Sequence, residues 1–178
     1  DYDARTASNV VRTAVAVNTA EPDLRGLDLL PEPNRVLIGQ SRVKGHGVGA
    51  DNELAAEIAR DNVEQIAAAL ETGSDVDAFL VVAALGGGTG SGAGPVIVKQ
   101  LQRLYEEPVY ALGVLPAGNE GGLYSMNAAR SLQTYVREAD NLLLVDNDAW
   151  RDADESVGGG YAAINEAVAR RFGVLFSA

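Results

Sequence analysis

The 178-residue chain has no cysteine, a single histidine and few aromatic residues, which make up 6% of the total. The lack of cysteine excludes disulfides and thiolate metal sites, argues against a zinc centre and suits a reducing compartment. No apolar run approaches the length of a membrane span, and no basic-then-apolar signal segment opens the chain. The sequence therefore predicts a cytoplasmic location without direct insertion into a membrane.

Positive charge is also scarce, because the formal net charge is −11, the pI is near 4.4 and lysine occurs only at Lys44 and Lys99. Such a surface repels nucleic acid, so we expect no nucleic-acid partner. The acidic residues are scattered, which is typical of a solvated surface rather than an acidic tail. This composition resembles that of proteins from salt-loving archaea, although an ordinary acidic cytoplasmic protein remains the alternative.

Hydrophobic residues make up 47% of the chain, enough for one sizeable core and few for two, so we expect one domain. Apolar periodicity predicts strands at Thr13–Val17, Arg35–Gly39, Phe79–Leu85, Val109–Leu115 and Leu142–Val145. It predicts helices at Leu54–Leu70, at 93–105, around a stripe from Ala128 to Val136, and from Tyr161 to Leu175. This alternation predicts an α/β fold: a three-layer, Rossmann-like, mostly parallel sheet with helices on both faces. Asp51 or Asn52 is expected to cap the first of these helices.

The most informative segment is the apolar run from Ala78 to Leu85, which leads directly into a glycine-rich loop and then a helix with Pro95 near its start. A backbone of this kind can bring its N–H groups against an anion, and the helix N-terminus adds a positive dipole end. The segment therefore predicts a phosphate site. It lacks the Walker A lysine, since the nearest lysine is Lys99, and its glycines do not have the spacing of the dinucleotide fingerprint. A flexible linker is the remaining alternative, but linkers do not usually join a buried strand to an amphipathic helix.

Polar or glycine-rich loops also follow the other predicted strands, at residues 18–21, 45–52, 116–122 and 146–148. Ligands of parallel sheets bind beyond the carboxyl ends of the strands. We therefore expect these loops to share one ligand-binding edge.

The glycine-rich loop resembles the signature of the tubulin/FtsZ family, and the other loops occur in that family's order. The resemblance is closest to the CetZ branch of haloarchaea, covers essentially the whole chain and agrees with the acidic, lysine-poor composition. It implies binding of GTP and GDP with Mg²⁺, and self-association into filaments through an interface that contains the nucleotide. It also implies hydrolysis of GTP at that interface and a cytoskeletal role in cell shape or division.

Carried over by position, the resemblance assigns phosphate contacts to Gly86, Gly87, Gly88, Thr89, Gly90, Ser91 and Gly92. It assigns the loop beside the γ-phosphate to Gly47, Gly49, Ala50, Asp51 and Asn52. It further implies a ribose contact from Glu120, guanine contacts from Asn147 and Asn165, and stacking on the base by Tyr161. Tyr161 lies one helical turn before Asn165, hence on the same face.

The four side chains assigned to the ribose and the base each have an ordinary interpretation when taken singly. Glu120 would be a solvated loop acid, Asn147 a turn residue, Asn165 a helix-surface amide and Tyr161 a core aromatic. His46 and Trp150 are interpreted as structural or packing residues rather than ligands. No residue of the chain is assigned as catalytic or as a metal ligand.

The chain departs from the family pattern at both ends, since it opens without the family's first strand and glycine loop and stops before its second domain. The acidic loop that reaches a neighbouring subunit's nucleotide is also missing. Within the chain, Ala20 replaces a usual aspartate and Gly122-Leu123-Tyr124 replaces a basic position. We therefore expect residues 1–178 to be a GTP-binding domain that is inactive alone. A non-hydrolysing GTP-binding relative is the alternative, and a nicotinamide-dependent oxidoreductase would need the fingerprint spacing that the loop lacks.

Overall fold

A computed structural model describes residues 10–70, 76–150 and 160–177, in which strands and helices alternate as predicted. The strands are β1 (Ala16–Asn18), β2 (Arg35–Leu37), β3 (Phe79–Ala84), β4 (Val109–Leu115) and β5 (Asn141–Asp146). The α-helices are α1 (Glu21–Arg25), α2 (Gln40–Val43), α3 (Asn52–Asp61), α4 (Val63–Leu70), α5 (Gly88–Leu104), α6 (Gly122–Glu138) and α7 (Gly160–Ser177). In these ranges no helix combines the length and the apolar character needed to cross a membrane.

Every strand pair in the described ranges is parallel, which confirms the predicted α/β fold with a parallel arrangement. β1 pairs with β2 in one sheet, and β3, β4 and β5 form a second sheet in that order. In the second sheet Leu80 lies opposite Tyr110, which lies opposite Asn141. The carboxyl ends of neighbouring strands consequently lie at the same edge, where the predicted ligand loops begin.

Helix α5 lies between two hydrophobic clusters and contributes to both. Val98 packs with Ala83, Ala111 and other residues under the β3-β4-β5 sheet. Ala93, one turn earlier, packs with Ile58 and other residues beneath β2 and α3. Because the helix is held on two sides, its amino end is fixed in position between the two sheets.

Several predicted boundaries are wrong, including those of the first strand and the first long helix. The first strand begins at Ala16 rather than Thr13, and the helix predicted over Leu54–Leu70 is interrupted at Asn62. Both the main-chain amide of Asn62 and its side-chain Nδ2 donate to the carbonyl of Ile58, at 3.1 and 2.7 Å. An asparagine side chain that bonds its own helix backbone competes with helix continuation, which explains the break.

The helix predicted over 93–105 begins at Gly88, so most of the glycine-rich loop forms its first turns. Because glycine is a poor helix former, helix propensity alone does not predict this early start. Pro95 consequently lies inside the helix rather than near its start, where it has no N–H to offer the carbonyl of Ser91. Burial of the helix on both sides outweighs these local preferences.

Helices α5 and α6 meet at Tyr135, whose side chain is fully buried. Its hydroxyl donates to the carbonyl of Gly90 at 2.8 Å, and a Cβ added at Gly94 would lie 1.7 Å from the same hydroxyl oxygen. Burial raises the pKa of Tyr135 well above its ordinary value of 10.0, because the phenolate would lose its hydration. The phenol therefore requires both a glycine and a carbonyl on the facing helix.

We expect Gly94→Ala to destabilise the protein by about 1–3 kcal/mol, because the added methyl overlaps the Tyr135 hydroxyl. In a Tyr135→Phe background the same change should cost less, since the overlapping oxygen is gone. Urea unfolding of the two single variants and the double variant measures this coupling. Gly122→Ala is the control, because nothing lies within 4 Å of a Cβ added there. Additive losses in the double variant would contradict the packing described.

The burial of Tyr135 also predicts that the stability of the protein depends on pH. Below the ordinary pKa of 10.0 the phenol is neutral in both states, whereas above it the unfolded chain ionises while folded Tyr135 stays neutral. The unfolded state then binds fewer protons, so stability falls with rising pH by up to about 1.4 kcal/mol per unit. Tyr135→Phe should reduce this slope, measured by unfolding between about pH 9 and 11. Replacing the exposed Tyr124 by Phe controls for loss of a phenol, and equal slopes in both variants would refute the assignment.

Candidate functional site

The amino end of α5 presents amide groups that the helix cannot use. The amide of Ser91 donates to the carbonyl of Gly87 at 3.2 Å, whereas in the described part of the chain the amides of Thr89 and Gly90 donate to no carbonyl. The Ser91 hydroxyl also bonds the Gly87 carbonyl, so it turns toward the backbone. Unbonded amides at the positive end of a helix form an anion site, which is the chemistry predicted for this loop.

The glycines of this loop allow close approach of backbones. No glycine in the segment 86–92 has a positive φ, so none is required for a left-handed turn. Three of them, Gly88, Gly90 and Gly92, face carbonyl oxygens. A Cβ added at these positions would lie 2.4 Å from the oxygen of Gly49, 2.2 Å from that of Ala84 and 2.0 Å from that of Asn52, respectively. These glycines therefore allow α5 to pack closely against β3 and against the start of α3 with the loop before it.

The loop before α3 is the segment predicted to lie beside the γ-phosphate. It does use left-handed glycines, with φ values of +80° at Gly47 and +61° at Gly49. Asp51 ends the loop and caps α3, accepting a hydrogen bond from the Leu54 amide at 2.9 Å, which confirms one of the two predicted caps. The Asp51 carboxylate thus fixes the start of the helix.

The two glycine-rich loops are joined by two sets of hydrogen bonds. The amide of Gly88 donates to the carbonyl of Gly49 at 3.2 Å. Asn127, on α6, donates from Nδ2 to the carbonyls of Ala50 at 2.8 Å and Gly86 at 3.2 Å. Sequence reasoning missed Asn127, because the apolar stripe of that helix drew attention to its neighbour Ala128.

The loop after β1 reaches the same place through hydroxyl groups. The hydroxyl oxygens of Thr19 and Thr89 lie 2.9 Å apart, and Thr89 donates to Asn18 Oδ1 at 3.2 Å. Asn18 Oδ1 also accepts from the Thr19 amide at 2.7 Å, and its Nδ2 donates to Asp23 at 3.1 Å. The Thr89 hydroxyl is therefore held by protein partners, which leaves its amide for a ligand. The sequence signal was the Asn-Thr pair directly after the first predicted strand. Sequence analysis placed residues 18–21 at the ligand-binding edge but assigned no contact to either side chain.

Ala20 and His46 join the loop after β1 to the glycine-containing loop before α3. Their main chains form an antiparallel bridge, and the amide of Gly47 donates to the carbonyl of Thr19 at 3.0 Å. The His46 side chain is exposed. In the described structure His46 thus contributes through its backbone.

The loops after β4 and β5 are also joined. Asp148 accepts a hydrogen bond from the Gly118 amide at 2.7 Å, and Asn147 beside it is only 7% exposed. Glu120 is half-buried, and its Oε1 accepts from the Ala117 amide at 2.7 Å. Sequence reasoning missed Asp148. Its hydrogen bond joins the loop of Glu120, the predicted ribose contact, to the loop of Asn147, a predicted guanine contact.

The loop after β4 also touches the glycine-rich loop, since a Cβ added at Gly86 would lie 3.0 Å from Pro116. The described loops after β1, β3, β4 and β5, together with the one before α3, therefore form one connected edge, as predicted. Asn165 is exposed on α7, and no described contact joins it to this edge. The side chains of Tyr161 and Trp150 lie outside the described residues.

An open cleft of about 2040 Å³ begins at this edge and continues between β1 and β3. Its described lining includes Gly47, Gly49, Thr89 and Gly90, and Arg12 is the one lysine or arginine in it. In the described ranges no group of three His, Asp or Glu side chains could hold a metal ion. Phosphate charge bound here would be met chiefly by amides, the helix dipole and any ion that the ligand brings.

The chain matches known proteins along its length. Residues 2–154 match the Tubulin/FtsZ family, GTPase domain. The chain is 61% identical to the tubulin-like protein CetZ1 of Haloferax volcanii, covering 100% of this chain and 46% of that protein. It is 33% identical to a tubulin-like CetZ protein of Pyrococcus horikoshii over 92% of the chain and 46% of that protein. The chain thus spans about half the length of the curated relatives it matches.

Solved structures of tubulin/FtsZ-family proteins also resemble this chain. A GDP-bound monomer of CetZ1 from Haloferax volcanii matches with a TM-score of 0.96 at 61% identity, covering 99% of this chain and 54% of that one. A GTPγS-bound protofilament of CetZ2 from the same organism matches with a TM-score of 0.92 at 52% identity, covering 99% and 52%. An empty FtsZ dimer from M. jannaschii matches with a TM-score of 0.80 at 25% identity, covering 91% and 46%. The chain belongs to the tubulin/FtsZ family and, within it, is similar to the CetZ proteins.

Proposed function

We propose that this chain is the GTP-binding domain of a CetZ-like cytoskeletal protein. On this proposal the whole protein assembles into filaments, hydrolyses GTP to GDP where two subunits meet, and acts in the cytoplasm on cell shape or division. The observation that carries it is the amino end of α5, where the amides of Thr89 and Gly90 stand beside the loop that begins α3. Relatives that were solved with GDP and with GTPγS support a guanine nucleotide as the ligand.

Residue roles follow from the order of the loops along the edge. We place the α- and β-phosphates at the amides of residues 86–92 and the γ-phosphate toward residues 47–52. The ribose would lie by Glu120, and the base would be read by Asn147 and Asn165 and stacked on Tyr161. An amide side chain suits guanine because it can donate and accept on the base edge at once.

Mg²⁺ would neutralise phosphate charge, with most of its ligands coming from phosphate oxygens and water, since the described residues offer no ready cluster of carboxylates. Hydrolysis also requires a group to orient the attacking water. Several carboxylates of the described edge already accept hydrogen bonds from the protein: Asp51 from the Leu54 amide, Glu120 from the Ala117 amide, Asp148 from the Gly118 amide, Asp146 from the Asp148 amide and Asp23 from the Asn18 side chain. We therefore assign that group to a neighbouring subunit, which couples hydrolysis to assembly.

Because these carboxylates are already hydrogen-bonded within the protein, one alternative is also favoured. It is a GTP-binding relative that assembles, or regulates assembly, without turnover. The two functions share the nucleotide site and differ only in whether a neighbour completes it. Turnover measurements separate them.

We expect Asn147→Ala to weaken GTP binding roughly tenfold, because a buried amide that reads the base is lost. Titration with a fluorescent GTP analogue in molar KCl with Mg²⁺ measures this change. Asn141→Ala, at the opposite end of β5, is the matched control and should retain wild-type affinity. Equal affinity of the wild type for GTP and ATP would contradict guanine recognition, as would equal losses in the two variants.

GTP turnover per subunit should rise above a threshold of protein concentration in the full-length protein, because the water-orienting group comes from a neighbour. The 178-residue chain should bind GTP and remain inert at the same concentrations. Phosphate release in molar KCl with Mg²⁺ is the measurement. Turnover by the 178-residue chain alone would overturn the assignment to a neighbour, and binding without turnover in both forms would support the non-hydrolysing alternative.

A further inference from the structure

One face of α6 carries three buried polar side chains at intervals of four residues, at Asn127, Ser131 and Tyr135. They are 2%, 3% and 0% exposed. A spacing of four residues places side chains above one another on the same face of a helix. Buried polar groups require hydrogen-bond partners, so the partners of these three define what the face does.

The outer two members of this face bond the nucleotide loops, and the middle one does not. Asn127 donates to the carbonyls of Ala50 and Gly86, and Tyr135 donates to the carbonyl of Gly90. Ser131 donates to the carbonyl of Ala128, within its own helix. The face therefore holds the site at two points, with a buried side chain between them that is uninvolved.

Asn127 differs from Tyr135 in bridging two separate segments. Its Nδ2 group carries two N–H donors, and each is directed to a carbonyl of a different loop. An aspartate of the same shape has no donor when ionised and would set its charge against two carbonyl oxygens. The bridge thus requires an amide at this position.

The two ends of the bridge are not held equally. Gly86 lies two residues after the end of β3 and close to Pro116, whereas Ala50 follows a loop in which Gly45, Gly47 and Gly49 have left-handed conformations. Besides the bridge, two backbone bonds to other segments hold residues 47–52, from the Gly88 amide to the Gly49 carbonyl at 3.2 Å and from the Gly47 amide to the Thr19 carbonyl at 3.0 Å. Loss of the bridge would consequently release residues 47–52 more than the glycine-rich loop.

We propose that Asn127 is a positioning residue that fixes residues 47–52 against the glycine-rich loop and thereby sets the preference of the site for GTP over GDP. The inference rests on the proposed function, in which residues 47–52 lie beside the γ-phosphate. A terminal phosphate is bound well only if both loops keep their separation. The two phosphates of GDP, by contrast, contact only the glycine-rich loop.

The test compares Asn127→Asp and Asn127→Ala with Ser131→Ala, which removes a buried polar group from the same helix face whose described hydrogen bond goes to the Ala128 carbonyl of its own helix. Affinities for GTP and GDP are measured in molar KCl with Mg²⁺ in the full-length protein. Both Asn127 variants should lose roughly tenfold in affinity for GTP and less than about threefold for GDP. Ser131→Ala should leave the ratio of the two affinities at its wild-type value. Equal losses for GTP and GDP in the Asn127 variants would overturn the proposal, because a merely structural role predicts them.

A second measurement needs no nucleotide. Hydrogen exchange at the amides of Asp51 and Leu54 should be faster in Asn127→Ala than in the wild type and unchanged in Ser131→Ala. If the wild type fails to bind GTP, the proposed function fails, and faster exchange still supports the bridge as the anchor of this loop. If the wild type binds GTP while exchange and the affinity ratio are unchanged in the Asn127 variants, the inference alone fails.

Discussion

The candidate site depends on the direct approach of the α5 backbone to its neighbours. At Gly88, Gly90 and Gly92 the facing atom is a carbonyl oxygen, at distances where a methyl group could not fit. This approach brings the start of α3 against the helix and holds the amides of its first turn at the end of β3. A residue with a side chain at any of these three positions would separate the loops that must act together on one ligand.

Contact at this distance also explains why polar side chains are buried around the helix. Carbonyl groups in the first turns of α5 and in the adjoining loops need donors, and Tyr135 and Asn127 supply them from α6. Each donor is buried and paired, so its removal would leave an unsatisfied carbonyl as well as a cavity. Around the first turns of α5, the supporting side chains on α6 are therefore an amide and a hydroxyl donor rather than charged groups.

The sequence predicted those features that depend on local pattern. The run into Gly86 located the loop that leads from β3 into α5 and is proposed to bind phosphate, and Asp51 was one of two predicted caps. The break at Asn62 and the helical start at Gly88 were not predicted. The break depends on a local hydrogen bond from the Asn62 side chain to the Ile58 carbonyl, whereas the start at Gly88 depends on tertiary packing that outweighs helix propensity. The contacts of Asn127 and the pairing of Thr19 with Thr89 could not be predicted from pattern, since their partners are 70 or more residues distant or are carbonyls that every residue has.

The acidic composition and the amide-based site fit each other physically. In molar salt the Debye length is about 3 Å, so a basic cluster would attract a nucleotide over hardly more than contact distance. Hydrogen bonds from fixed backbone amides act at contact, need no long-range field and are held in place by the fold. A chain with a net charge of −11 and a cleft with Arg12 as its described cation can then bind phosphate through geometry. The positions of the loops, rather than the charge of the surface, would set its affinity.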